Sequence, residues 1–197
     1  MLLINSDECI VEKFENFVVK GKQLMSVLEK MPFTTKKIKM MGKLIDTPRQ
    51  TCSVHFNRDN EDINQSYTYS GIKEIPMLAP DELFQLKEEV ETKTGAKFNY
   101  ALLNLYRNEK DSVEYHADNE DIIVSDSTIA SISIGGARKF NMKNIKTKEL
   151  KSVLLSHGSL LVMKGKTQSK WNHGIPKSKR KMSKRINITF RLNHQSN

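Results

Sequence analysis

The chain has 197 residues, of which 38% are hydrophobic and 28% charged, and its formal net charge is +9. That balance suits a folded domain with a sizeable core and excludes a disordered or fibrous chain. No apolar run approaches the roughly 18 residues of a membrane span, and MLLINSDECIVEKFENF at the start lacks the basic n-region and long apolar core of a secretory leader, so neither a membrane nor secretion is expected.

Charge is unevenly placed. The last acidic residue is Glu149, and eleven Lys and Arg lie in residues 150–197. A surface built from that quarter is expected to be strongly positive, which points to a polyanion, nucleic acid first. The plainer alternative is a solvated basic face. Cys9 and Cys52 sit in no metal-like spacing and read as free thiols of a reducing compartment, with a disulfide between them left open.

In chain order, residues 1–31 read as a leading segment ending in a short helix, with Leu24, Val27, Leu28 and Met31 at helical spacing and Pro32 as the stop. KKIKMMGK (36–43) is basic and partly apolar with a turn at Gly42, and residues 46–66 read as polar and irregular. QSYTYSG (65–71) holds a short strand. Pro80-Asp81-Glu82 opens a second helix, whose apolar face is Leu83, Leu86 and Val90 and whose end is Gly95. After it come short β-rich segments at 99–106, 129–136, 151–156, 159–164 and 186–192, separated by polar loops. So many short strands with few helices between them predict a sandwich or barrel rather than a parallel α/β fold. PKSKRKMSKR (176–185) leads straight into a strand and reads as a loop of the domain.

Chemistry centres on VEYHADNE (113–120). His116 and Asp118 alone are weak evidence. As ligands they call for a distant third, because two His and one carboxylate on one face of an octahedral iron leave positions open for substrate and oxygen. His173 in KWNHGIP, expected in a loop, fits best. His157 reads as structural, at a tight turn entering a strand, and His55 and His194 as exposed. In RINITFR (185–191), Arg185, Asn187, Thr189 and Arg191 share one face of a strand, because side chains alternate with period two. Two arginines on a strand that looks buried need an anionic partner, and a guanidinium fork matches a carboxylate. Asn104 and Tyr106 alternate onto one face and add neutral hydrogen bonds. A dicarboxylate beside a metal satisfies all of these.

Taken together, MGK (41–43), PRQ (48–50), YTYSG (67–71), NYALLNLYRN (99–108), EYHADNE (114–120), STIASISIGGARKF (127–140), SHGSLLVM (156–163), WNHGIP (171–176) and RINITFR (185–191) resemble the AlkB family of iron(II)/2-oxoglutarate-dependent nucleic-acid demethylases, closest to the eukaryotic type that repairs duplex DNA. The resemblance covers nearly everything after about residue 40. It implies an α+β, mainly β fold: a double-stranded β-helix (jelly-roll) core over 79–197, preceded by N-terminal helices and a nucleotide-recognition lid over 1–78. It implies that His116, Asp118 and His173 bind Fe(II) and form the catalytic centre. Arg185 would pair with the distal carboxylate of 2-oxoglutarate, helped by Tyr106 and Thr189, with Asn104 and Arg191 supporting the metal-chelating end.

The implied reaction consumes O2, turns 2-oxoglutarate into succinate and CO2, and hydroxylates the N-methyl group of 1-methyladenine or 3-methylcytosine, which then leaves as formaldehyde. Reaching that methyl requires flipping the base out of the stack. Duplex-specialised relatives place an aromatic wedge where this chain has Met41, an apolar side chain that cannot stack as a ring does. Tyr67 and Tyr69 would line the base pocket, Asn119 and Glu120 would contact the base, and Arg49 with the 177–184 run would grip phosphates. Asn119 departs from the acid that related enzymes often carry there. The implied protein is a monomer, nuclear if eukaryotic and otherwise cytoplasmic. RNA as the substrate, an inactive nucleic-acid-binding module and a protein hydroxylase are the rival readings.

Overall fold

Strict alternation along four central strands sorts side chains into two populations, one for a core and one for a site. The structure, a computed structural model, describes residues 1–40, 43–58, 67–69 and 72–194 (of 39–40, 67–69 and 72–74, the backbone). Its elements are β1 (Leu2–Asn5), β2 (Cys9–Phe14), α1 (Gly21–Leu28), β3 (Thr34–Met40), β4 (Lys43–His55), β5 (Tyr67–Tyr69), β6 (Ile72–Glu74), β7 (Met77–Leu78), α2 (Asp81–Thr94), β8 (Tyr100–Tyr106), β9 (Val113–His116), β10 (Ile129–Gly135), β11 (Arg138–Asn144), β12 (Leu150–Leu155), β13 (Ser159–Gly165), α3 (Thr167–Lys170), β14 (Trp171–Ile175) and β15 (Arg185–Arg191).

Two antiparallel sheets face each other. The larger runs β1-β2-β13-β10-β15-β8-β4-β3, with β7 parallel to β4, and the smaller runs β12-β11-β14-β9. β5 and β6 form a separate hairpin. This is the jelly roll expected from the strand-rich second half. One face of the large sheet carries Leu103, Ile132, Leu160, Ile188 and Phe190 and packs on α1 and α2, which contribute Leu28, Leu83 and Val90. Each such fully buried side chain contributes about 1.5–3 kcal/mol relative to exposure. The opposite face looks at the small sheet. There Ile129, Leu161 and Met163 meet Phe140, Met142 and Trp171 in a second core, and the polar alternates of β8, β10 and β15 meet the site.

α2 follows its sequence signals. Leu83, Leu86 and Val90 are buried, Asp81 and Glu82 occupy the first turn, and Gly95 ends it at φ 70°. That left-handed conformation suits a residue without Cβ. α1 covers Gly21–Leu28, with Leu24 and Leu28 inward.

Three expectations are corrected. Residues 1–31 hold more than a helix: β1 and β2 form a hairpin, and β2 extends the large sheet by pairing with β13. Residues 46–55 are not irregular but belong to the 13-residue strand β4, paired with β8 from Gln50↔Leu105 to His55↔Tyr100. Its polar residues Thr47, Arg49 and Thr51 are buried, so β4 lacks the apolar alternation by which a strand is read. His55 lies half-buried on that strand rather than exposed, and burial lowers its pKa. The expected turn at Gly42 lies outside the described residues. No helix among the described residues is long and apolar enough to cross a membrane.

Candidate active site

β9 and β14 pair so that His116 stands opposite His173, with a register shift between His173 and Ile175. His173 is therefore on a strand, not in the expected loop. Asp118 follows two residues after the end of β9. The three side chains present ligand atoms all within 4.8 Å of one another. His116 Nε2 lies 3.7 Å from Asp118 Oδ1, and His173 Nε2 lies 3.8 Å from Asp118 Oδ2.

His116 Nδ1 sits 2.9 Å from the Glu114 carbonyl oxygen. A carbonyl only accepts, so Nδ1 carries a proton, which leaves Nε2 as the nitrogen that faces Asp118. The His173 ring stacks on Phe140 at 5.3 Å and 24°, and its Nδ1 is buried with no hydrogen-bond partner. Burial, with His116 beside it, pushes the His173 pKa down to about 3, so the imidazole is neutral near neutral pH. Burial alone would raise the Asp118 pKa. The Arg191 charge outweighs it and holds the carboxyl below its usual range. Arg191 Nη2 donates to Asp118 Oδ1 at 2.5 Å, and the Asp118 N–H donates to Gln168 Oε1 at 2.9 Å. Two imidazoles and an ionised carboxylate, oriented before any ligand arrives, fit a divalent iron.

Arg185 lines the cavity beside this cluster. Arg185 is 1% exposed. Its Nη2 donates to Ser133 Oγ at 2.9 Å and to Asn187 Oδ1 at 2.6 Å, while Nε and Nη1 have no hydrogen-bond partner. Burial pushes its pKa down to about 10, so it stays charged. A buried guanidinium with open donors is costly unless an anion meets it. Tyr106 lies beneath it, the ring centroid 5.2 Å from Arg185 Cζ. Thr189 Oγ1 accepts from Asn187 Nδ2 at 2.7 Å. These groups fit one carboxylate of a keto diacid, and the metal cluster fits its other end.

The cavity gathers every residue expected to bind metal or keto acid: His116, Asp118, His173, Asn104, Tyr106, Arg185, Thr189 and Arg191. Arg49 also lines it. Buried, with Nε donating to Asn104 Oδ1 at 2.8 Å, Arg49 is placed to meet a ligand in the cavity, not phosphates on the outer surface. Asn119 and Glu120 do not line this cavity. They line a neighbouring groove behind Asp118, together with Gln168 and Asp126, and Glu120 faces Arg191 Nη1 at 3.8 Å. Met41 lies outside the described residues. Tyr67 and Tyr69 are described only as the backbone of β5. His157 is structural as expected, its Nδ1 accepting the Gly135 N–H at 2.9 Å. Neither cysteine is in a disulfide, and both are buried.

Sequence reasoning passed over Ser131, Ser133, Phe140 and Gln168. The two serines were within reach, since the period-two pattern of IASISIGG puts them on one face. Gln168 left no local signal, because its partner is a backbone N–H fifty residues away.

Comparison with known proteins agrees with this geometry. The model of the 2OG-Fe(II) oxygenase superfamily matches residues 19–191. The cattle (Bos taurus) alpha-ketoglutarate-dependent dioxygenase alkB homolog 3 is 42% identical over 136 residues, which are 64% of this chain and 47% of that protein. The mouse (Mus musculus) DNA oxidative demethylase ALKBH2 is 30% identical over 178 residues, 86% of this chain and 72% of that protein. The solved structure of OsALKBH1 shares the fold, with a TM-score of 0.64 at 16% identity, over 92% of this chain and 97% of that one. The chain spans about half the length of the alkB homolog 3 proteins it matches. The chain belongs to the AlkB family of the 2OG-Fe(II) oxygenase superfamily.

Proposed function

We propose that the chain is an oxidative demethylase that repairs 1-methyladenine and 3-methylcytosine in DNA and releases formaldehyde. The observation that carries this reading is the His116–Asp118–His173 cluster sharing one cavity with the open donors of Arg185. His116, Asp118 and His173 would hold Fe(II), and Arg185 would hold the distal carboxylate of 2-oxoglutarate. The bound metal, keto acid and dioxygen together supply oxygen-atom insertion into a C–H bond, with succinate and CO2 as co-products.

The chain's own residues bind, orient and exclude water. Arg191 keeps Asp118 ionised and turned toward the two imidazoles. Ser133 and Asn187 hold the Arg185 fork in place before any anion arrives. Phe140, Val113 and Ile175 form an apolar wall beside His173. Arg49 is placed to contact a substrate group inside the cavity, with Tyr67 and Tyr69 as the stacking residues of the lid and Met41 as the wedge.

Nucleic acid as the substrate is supported by the basic quarter of the chain and by the likeness to a DNA oxidative demethylase. Duplex DNA, a monomeric state and a division into a lid over 1–78 and a core over 79–197 are part of the same reading. The test is formaldehyde release from methylated oligonucleotides, dependent on Fe(II) and 2-oxoglutarate and lost in His116→Ala. Formaldehyde release that persists in that variant would sink the assignment. Matched duplex DNA, single-stranded DNA and RNA substrates decide between DNA and RNA. Met41→Ala is expected to slow duplex turnover more than single-strand turnover.

A further inference from the structure

Glu109 presents a contradiction in charge. It sits against the basic loop 176–184, where Coulomb's law alone says that a carboxylate weakens the hold on a polyanion. Its contacts suggest the opposite role. The Glu109 carbonyl accepts the Ser178 N–H at 2.9 Å, and its carboxylate Oε2 accepts the Met182 N–H at 3.4 Å. One residue thus ties down both ends of the 178–182 segment, and Lys179, Arg180 and Lys181 lie between the ties.

Arg138 supports the same arrangement from below. Its fully buried side chain donates Nη2 to the Asn108 carbonyl at 2.8 Å and to the Ser183 carbonyl at 3.4 Å, joining the 107–112 loop to the basic loop. The Gly136 N–H closes the end by donating to the Lys184 carbonyl at 2.7 Å. Both loops start and finish at cavity-lining residues, Tyr106 and Val113 for one and Ile175 and Arg185 for the other.

We propose that Glu109 and Arg138 are positioning residues that hold loop 176–184 in the shape in which it receives nucleic-acid phosphates. This rests on the reading of that loop as a phosphate-binding surface. A loop ordered in advance loses less freedom on binding, so the cost of one acidic charge is outweighed by the ordering of several cations.

The test measures binding of a labelled methylated oligonucleotide by anisotropy at two salt concentrations. Glu109→Ala is expected to weaken binding by about fivefold although it removes a negative charge. Glu109→Gln keeps an oxygen for the Met182 N–H and is expected to bind at least as tightly as the wild type. Glu109→Ala binding as tightly as the wild type, or more tightly, overturns the proposal. The triple variant Lys179→Ala, Arg180→Ala, Lys181→Ala is expected to bind more weakly and to lower the salt slope by about two to three. Unchanged affinity in that variant removes the loop as the phosphate site, and this proposal with it. The demethylase reading is judged separately, by formaldehyde release. Arg138→Met should weaken binding in the same direction, with its melting temperature read alongside. Because that variant also empties a buried site, the decision rests on Glu109.

Discussion

Arg191 and Asp118 form a buried ion pair, Nη2 to Oδ1 at 2.5 Å, with each side chain only 3% exposed. The arginine closes the strand that begins with Arg185, the proposed keto-acid anchor, and the aspartate belongs to the proposed metal cluster. One interaction therefore links the two halves of the site.

Removing one partner of such a pair leaves a buried charge uncompensated. Arg191→Met is expected to cost on the order of 3 kcal/mol and to weaken divalent-metal binding, because Asp118 loses the contact that orients it. Thermal melting with and without chelator checks both effects. Added metal should raise the melting temperature of the wild type more than that of the variant.

Arg185→Lys tests the anchor. Lysine keeps the charge but not the fork that reaches Ser133 and Asn187 while leaving donors for a carboxylate. The KM for 2-oxoglutarate is expected to rise by about tenfold or more, with a smaller change in turnover at saturating keto acid. An unchanged KM would place the diacid elsewhere.

Glu91 provides a pH prediction away from the site. Burial alone would raise its pKa, but Lys87 at 2.9 Å and the Phe98 N–H at 2.8 Å outweigh this and lower it. A carboxyl depressed in the folded state contributes stability above its unfolded pKa and loses it as pH falls through the folded value. Glu91→Gln is therefore expected to be less stable than the wild type at pH 7. The gap should close as pH drops below the ordinary value of 4.5. Melting curves across pH 3–7 (a window of roughly this width) measure it.

Gly135 closes β10 at φ 98°, where a Cβ would run into the Lys184 carbonyl. Gly135→Ala is expected to cost about 1–3 kcal/mol and to disturb the entry into β15 just before Arg185. A lower melting temperature together with a raised KM for 2-oxoglutarate would show both.

Part of the site was legible because a strand's geometry is local. Alternation in RINITFR places Arg185, Asn187, Thr189 and Arg191 on one face, and the structure puts those four in the cavity with Ile186, Ile188 and Phe190 in the core behind them. The α2 helix and its end at Gly95 were readable for the same reason, since apolar spacing, early carboxylates and a left-handed glycine all act within a few residues.

β4 escaped because several of its buried residues are polar, and one of them, Arg49, lines the cavity. Thr47, Arg49 and Thr51 look like a loop until β8 pairs with the strand from Gln50 to His55 and the three are buried. Arg49 could not be distinguished from an outer phosphate contact, because its burial and its bond to Asn104 depend on a neighbour 55 residues away. Asn119 and Glu120 follow the proposed metal ligand Asp118 in sequence, but the chain turns after it and carries them to the groove behind it.

The sequence by itself determined the donor types, their order and the period that aligns the anchor strand, because covalent geometry and side-chain chemistry are local. Only the tertiary structure decided which strand stands opposite which. That pairing brings His116 against His173, turns Arg49 inward and sets Glu109 against the loop it holds, because long-range register is the sum of many weak contacts that no short stretch contains.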